Sequence, residues 1–244
     1  MPSRNTMFYA ERGHGRALVC LHGAGGLHTH WGQLLTGLAE HGRVVAPDFP
    51  GHGRSTPPAP ADLAAYGAAT LAFLDALELE QAILVGHSMG AAAALEAYLV
   101  APNRVAGLIL IGAAARLRVA PALLTGLADD PPAAVTQLVN AMYPEAASAL
   151  RPDAINEYLR DPRMLAHDLQ ACNGWDRRAD LRPGPPSLVL VGSDDLLTPP
   201  KLGTELSSLL AGQCVTLEGV GHAPMIQAPA ATLAAIHDWL ALQR

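Results

Sequence analysis

The chain has 244 residues, half of them hydrophobic and only 16% charged, with 22 acidic against 16 basic side chains. That balance supports a sizeable buried core and excludes an intrinsically disordered chain, which needs low hydrophobicity and high net charge. The formal net charge of −6, with no basic stripe, argues against a nucleic-acid partner. Cys20, Cys172 and Cys214 are scattered and odd in number, so neither a disulfide framework nor a zinc site is expected. Met1–Glu11 holds no apolar signal core, and no uninterrupted apolar run approaches the ~18 residues of a membrane span. These features predict a soluble cytoplasmic protein with no membrane association.

In chain order, Thr6–Arg12 reads as an antiparallel edge strand. Ala17–Leu21 and Arg43–Ala46 are short apolar runs without alternation, as expected of strands covered on both faces. Ala61–Leu79 carries Leu63, Tyr66, Leu74 and Leu77 near one helical face. Gln81–Val85 reads as a strand and Met89–Leu99 as an Ala- and Leu-rich helix that stops before Pro102. Val105–Ile111, Ser187–Val191 and Cys214–Leu217 repeat the buried-strand pattern. Pro229–Leu242 closes the chain as a helix with Leu233, Ile236 and Leu240 on one stripe. Strands alternating with helices predict an α/β fold with a mostly parallel sheet and helices on both faces.

One segment breaks the alternation. From Ala113 to about Arg182 no strand is evident, and prolines divide several short helical pieces. It is too long for an ordinary connection. The expected organisation is a core of residues 1–112 and 183–244, with residues 113–182 inserted as a small helical cap.

Gly86-His87-Ser88-Met89-Gly90 lies between a predicted strand and a predicted helix. A serine at such a turn is forced into a strained backbone position, and glycines on either side leave room for the turn. The hydroxyl then projects from the C-terminal edge of the sheet, where helix amides face developing negative charge. The competing reading is a glycine-rich turn with an incidental serine. A hydroxyl nucleophile needs a base, and the base needs an orienting acid. His222 follows the last strand and Asp194-Asp195 the one before it. Parallel strands share one C-terminal edge, so these residues converge there. Asp195 is preferred over Asp194 as the acid. His14, His41, His167 and His237 lack this strand-end context, and His87 is expected to pack or hydrogen-bond within the turn.

A tetrahedral intermediate needs two preorganised N–H donors for its oxyanion. The amide of Met89 is one. The other is expected from His22-Gly23-Ala24-Gly25-Gly26, at Ala24. A phosphate-binding loop is the alternative for this segment, but GxGxxG is not satisfied and the P-loop lysine is missing.

Together HGAGG, Asp48-Phe49-Pro50-Gly51-His52-Gly53-Arg54-Ser55, GHSMG, GSDDLLTP and GHAP resemble the α/β-hydrolase superfamily along nearly the whole chain. The resemblance implies the α/β-hydrolase fold, a catalytic triad of Ser88, Asp195 and His222, and an oxyanion hole from Ala24 and Met89. It implies a structural role for the Asp48–Ser55 loop and a cap at residues 113–182. Gln227 departs from the family pattern, where Glu is frequent. Relatives that dehalogenate alkanes or open epoxides use Asp at the position of Ser88, so an acyl-transfer mechanism is expected, with no metal and no cofactor. The style is closest to small bacterial carboxylesterases and 3-oxoadipate enol-lactonase-like hydrolases. The expected partner is a small ester. Enol-lactone or carbon–carbon bond hydrolysis stays open, as does a slow or non-catalytic ligand receptor on the same fold. Gly25, Trp31, Met142 and Trp175 are the substrate-binding candidates. Leu117, Leu123, Leu124, Leu127, Leu138 and Tyr143 line a pocket or form the cap's own core, core being preferred.

Overall fold

The computed structural model describes residues 7–243. Seven strands form one sheet: β1 (Tyr9–Arg12), β2 (Ala17–Leu21), β3 (Arg43–Pro47), β4 (Ala82–His87), β5 (Val105–Ile111), β6 (Ser187–Gly192) and β7 (Gln213–Leu217). Their order is β1-β3-β2-β4-β5-β6-β7. Only β1 runs antiparallel, pairing with β3 along the edge. It is shorter than the sequence suggested, and Thr6 lies outside the described residues.

The apolar runs explain the layers. Along the central strands the side chains alternate between two cores. Val19, Leu21, Leu84, Leu108, Leu110, Val189 and Val191 face one side. Leu18, Cys20, Ile83, Val85, Ile109, Ile111, Leu188 and Leu190 face the other. Both faces must therefore be covered, which is why these strands carry no polar alternation. The short α1 (Gly32–Gly37) contributes Leu34 and Leu35 to the second core. Helices α2 (Leu63–Ala76) and α3 (Met89–Val100) cover the first face. Asp62 caps α2 by accepting the Ala65 N–H, so the helix starts two residues later than the periodicity implied.

Between β5 and β6 there are four helices and no strand: α4 (Pro121–Asp129), α5 (Pro131–Met142), α6 (Arg151–Tyr158) and α7 (Pro162–Cys172). Each has proline in its first turn, and Asp130 and Asp161 cap α5 and α7. After β6 come α8 (Pro200–Leu210), the one-turn α9 (Pro224–Gln227) and α10 (Pro229–Ala241). Helix α8 was not legible in the sequence. It packs so closely on β6 that a Cβ on Gly203 would lie 2.2 Å from a Val191 methyl.

Register aligns the strand ends. Leu21 lies opposite Gly86, His87 opposite Ile111, Ile111 opposite Leu190, and Gly192 opposite Leu217. The loops that follow these residues thus leave the sheet along one edge. At that edge α3 turns back under β2. A Cβ on Gly90 would lie 2.1 Å from the Leu21 carbonyl oxygen, and one on Gly86 would lie 2.5 Å from the Ala91 backbone. Neither neighbour is a flexible side chain, so relief requires the backbone to move. Gly90→Ala is expected to destabilise the fold by about 3 kcal/mol or more, a melting-temperature drop of roughly 6–12 °C for a chain of this size. A thermal melt within about 2 °C of wild type would contradict this packing.

Candidate active site

Four loops converge at the aligned edge. Ser88 follows β4 and has φ +51° and ψ −114°, a conformation that L-residues rarely adopt. Its N–H donates to the Ile111 carbonyl at 2.9 Å, which fixes the turn against β5. The flanking histidine and methionine are buried, whereas Ser88 is partly open.

His222 follows β7 and is buried. Its Nδ1 lies 2.9 Å from Oδ2 of Asp195, so Nε2 is the nitrogen left for a hydroxyl proton. A Cβ on Gly112, the residue after β5, would come within 3.3 Å of the His222 ring. The imidazole is thereby seated beside the strand end that holds the Ser88 amide. Four further hydrogen bonds hold the His222 loop. Its N–H donates to the Met142 carbonyl at 2.8 Å. Gln227 accepts the Gly221 N–H at 2.8 Å and donates to the same Met142 carbonyl at 3.0 Å. His87 donates from Nε2 to the His222 carbonyl at 2.9 Å. A glutamate at 227 would lack the N–H that reaches Met142, and only its protonated form would offer an O–H donor in its place.

Asp195 rather than Asp194 stands against His222. Its Oδ1 accepts the N–H groups of Leu197 and Thr198, each at 2.8 Å. The Thr198 hydroxyl donates to Oδ2 at 2.7 Å. Burial by itself would push this carboxyl up, but His222 and the Thr198 donors outweigh burial and hold it below the usual carboxylate range. Asp194 is exposed and accepts only the neighbouring Ser193 hydroxyl. Thr198 had no role in the sequence reading; its signal was the Asp-x-x-Thr spacing just before a proline-started helix.

The two amides expected to hold an anion lie on the loop after β2 (Ala24) and at the start of α3 (Met89). The N–H groups of Ala24 and Met89 have no protein acceptor among the described residues. His22 braces the loop from within. Its Nδ1 lies 2.9 Å from the Gly23 carbonyl, and its Nε2 accepts the Phe49 N–H at 3.0 Å. An acceptor at one nitrogen and a donor at the other require a neutral ring. Burial, with His52 adding to it, pushes the His22 imidazole well below its ordinary range. Burial likewise pushes His87 down, to about 3.

The substrate-binding candidates divide. Gly25 has φ +63° and lines a cavity of about 290 Å³ shared with Leu27, His52, Glu157, Tyr158 and Met164. Met142 meets the site through its carbonyl, which holds the His222 loop, while its side chain is buried. Trp31 is fully enclosed in the core beneath α9 and α10, so it has no free face for a pocket wall. Trp175 donates from Nε1 to the buried Glu96 of α3 at 2.6 Å, and Arg177 reaches the same carboxylate at 2.7 Å. That indole is an anchor between α3 and the returning chain, not a pocket wall. Leu127, Leu138, Met142 and Tyr143 are buried in one continuous core, whereas Leu123 is half-buried. His28 bonds Asp48 and His30 pairs with Glu157, so both brace loops.

A metal is not needed for this geometry. Among the described residues, one grouping offers metal-type ligands: Glu40, His41 and His237. Glu40 and His41 precede β3, at the opposite end of the strands from Ser88, and Nε2 of His237 already faces the Gly37 carbonyl at 3.2 Å.

The arrangement offers a strained hydroxyl, an oriented imidazole, a buried carboxylate and two unengaged amides, which is what attack on a carbonyl requires. Asp195→Asn is expected to lower kcat on an activated p-nitrophenyl ester by about 10³–10⁴-fold. Asp194→Asn is expected to stay within about threefold of wild type, since solvent-facing changes rarely propagate. The reverse order would give the acid role to Asp194.

A model of the alpha/beta hydrolase family matches residues 18–236. A curated relative from Pseudomonas putida, the dihydrolipoyllysine-residue acetyltransferase component of an acetoin cleaving system, is 33% identical over 232 residues, covering 84% of this chain and 60% of that protein. The chain thus spans about three fifths of that relative's length. A solved thermophilic esterase from Thermogutta terrifontis superposes with a TM-score of 0.85 at 25% identity, covering 97% of this chain and 93% of that one. The enol-lactonase of Burkholderia xenovorans shares the fold, with a TM-score of 0.86 at 23% identity, covering 96% of each chain. No helix among the described residues is long and apolar enough to cross a membrane. With the sheet, the serine turn and the family match in agreement, this chain belongs to the α/β-hydrolase family.

Proposed function

We propose that the chain is a serine hydrolase of small carboxylic esters. The observation that carries this reading is Ser88 at positive φ on the strand-end turn, together with a His222 whose Nδ1 is engaged by Asp195 and whose ring packs on Gly112, next to the Ile111 carbonyl that holds the Ser88 amide. In the proposed cycle Ser88 Oγ attacks the ester carbonyl as His222 Nε2 takes its proton. The carbonyl oxygen becomes an oxyanion that accepts from the Ala24 and Met89 amides. Collapse expels the alcohol with the proton from His222 and leaves an acyl-serine. Water then attacks the acyl group, gives a proton to the same imidazole, and releases the acid as Ser88 is regenerated. Asp195 holds the ring and stabilises the imidazolium formed twice in the cycle.

Similarity to an esterase at 25% identity supports the ester reading. An acyl-serine is resolved by water or by another acceptor. Water is the proposed acceptor. The proposed substrate lies between the helical segment of residues 113–182, acting as a cap, and the sheet edge.

Two measurements test this. Ser88→Ala is expected to fold normally and to lose ester turnover by about 10⁴-fold or more, and a fluorophosphonate is expected to label wild type at Ser88. A folded Ser88→Ala of near-normal activity overturns the mechanism. The second concerns chain length. Leu127, Leu138, Met142, Tyr158 and Leu165 of the helical segment are all buried, which favours a compact acyl pocket over an extended one. Each methylene contributes about 0.8 kcal/mol when buried and little once it projects into water. Among p-nitrophenyl acetate, butyrate, octanoate and palmitate, kcat/KM is expected to peak at or below octanoate and to fall for palmitate. Palmitate as the best substrate would mean that the helical segment opens into an extended groove.

A further inference from the structure

We infer that Asp168, on the second turn of α7, is a positioning residue for the oxyanion loop, an inference that rests on the serine-hydrolase reading above. Asp168 is fully buried, and three groups distant in sequence converge on it. Its Oδ2 accepts the Gly25 N–H at 2.8 Å and lies 2.8 Å from His52 Nε2. Its Oδ1 accepts the Tyr66 hydroxyl at 2.5 Å. A carboxylate so deep is costly unless every lone pair is used. Here the partners come from the oxyanion loop, the Asp48–Ser55 loop and α2.

The geometry of a trans peptide explains what this does. The Ala24 N–H shares a plane with the Gly23 carbonyl and points away from it. That carbonyl is held by His22 Nδ1 at 2.9 Å and by the Gly26 N–H at 3.0 Å. The following plane carries the Gly25 N–H, which Asp168 holds. The Ala24 amide is therefore fixed from both sides, by His22 on one plane and by Asp168 on the next. Close packing adds to this: a Cβ on Gly25 would lie 3.0 Å from Leu165 and 3.1 Å from Tyr158. The buried negative charge does not oppose a nearby oxyanion, because His52 faces acceptors at both ring nitrogens, Asp168 and the Pro50 carbonyl, as an imidazolium does. The Asp168–His52 pair is then neutral overall.

An oxyanion donor acts in the transition state and hardly in substrate binding. Asp168→Ala is thus expected to lower kcat by about 10²-fold with KM within about threefold. Asp168→Asn keeps an oxygen for Gly25 and is expected to recover kcat to within about tenfold of wild type. Tyr66→Phe removes a support of Asp168 but leaves the Gly25 acceptor. It is expected to lower the melting temperature while kcat stays within about threefold. Should Asp168→Ala not fold, hydrogen exchange in the wild type gives the second readout. The Gly25 amide is expected to exchange at least about 10²-fold more slowly than an unstructured amide. Wild-type kcat in folded Asp168→Ala overturns the inference. So do kcat losses that track melting temperature alike in Asp168→Ala and Tyr66→Phe, and so does free exchange at Gly25. Failure of the hydrolase reading is recognised separately, as Ser88→Ala matching wild type on every ester.

Discussion

The site depends on how closely the start of α3 approaches the end of β2. Gly90 rests on the carbonyl oxygens of Leu21 and His22, where even a methyl group would collide with backbone. This contact fixes two things at once. It sets the turn that drives Ser88 to positive φ, and it brings the Met89 amide beside the root of the loop that carries Ala24. The two amides and the hydroxyl are neighbours because two backbones touch. Local helix propensity alone would not produce this, since glycine is among the poorest residues for a helix start of this kind. The conformational cost at Ser88 is borne by the packed sheet around it, where β4 is buried throughout and β5 everywhere but at Ala106.

The helical segment between β5 and β6 is tied to each arm of that site by a buried polar contact. The Met142 carbonyl at the end of α5 takes two donors from the His222 loop. Asp168 on α7 takes the Gly25 amide of the oxyanion loop. Trp175 and Arg177, on the return to the sheet, close on Glu96 of α3. Each contact fills a hydrogen-bonding need that would otherwise be costly in a buried setting. Displacing the segment would therefore disturb the His222 loop, the loop that carries Gly25 and helix α3 together. Apolar packing alone would permit sliding; these directional bonds do not.

What could be read in advance follows from the range of the interactions. Strands buried on both faces write themselves as continuous apolar runs, so β2 to β6 were visible, and the serine turn was visible because its glycines are adjacent to it in sequence. Asp195 was separable from Asp194 only weakly before the structure, since both lie on one turn; what distinguishes them is the pair of amides at Leu197 and Thr198. Helix α8 is masked in the sequence by Pro199-Pro200 and by Gly203, which interrupt its periodicity, while its fit depends on contact with Val191 of β6. Asp168 and Glu96 were illegible for the same reason in stronger form. Their partners lie 143 and 79 residues away, and a lone acidic residue on an amphipathic helix reads as solvated. Trp31 and Trp175 drew attention as large rings near motifs, but ring size does not tell a pocket wall from an anchor.

The histidines near the site show how partners sort otherwise equal side chains. His22 meets a carbonyl and an amide N–H, and His87 meets a carbonyl and has no protein partner at its other nitrogen. Burial pushes both downward, so both remain neutral and serve as fixed braces. His52 and His222 each meet a carboxylate instead. For His52 burial works against the charge, but the bond to Asp168 outweighs it and raises the imidazole above its ordinary value. A base that must carry a proton during turnover gains from a carboxylate on its far nitrogen, and it loses from any further cation nearby in a low dielectric. Two neutral rings satisfy the backbone around the base without adding positive charge. The third ring is charged against a carboxylate of its own. A positive charge placed on His222 would then face Asp195 with no competing cation on either brace.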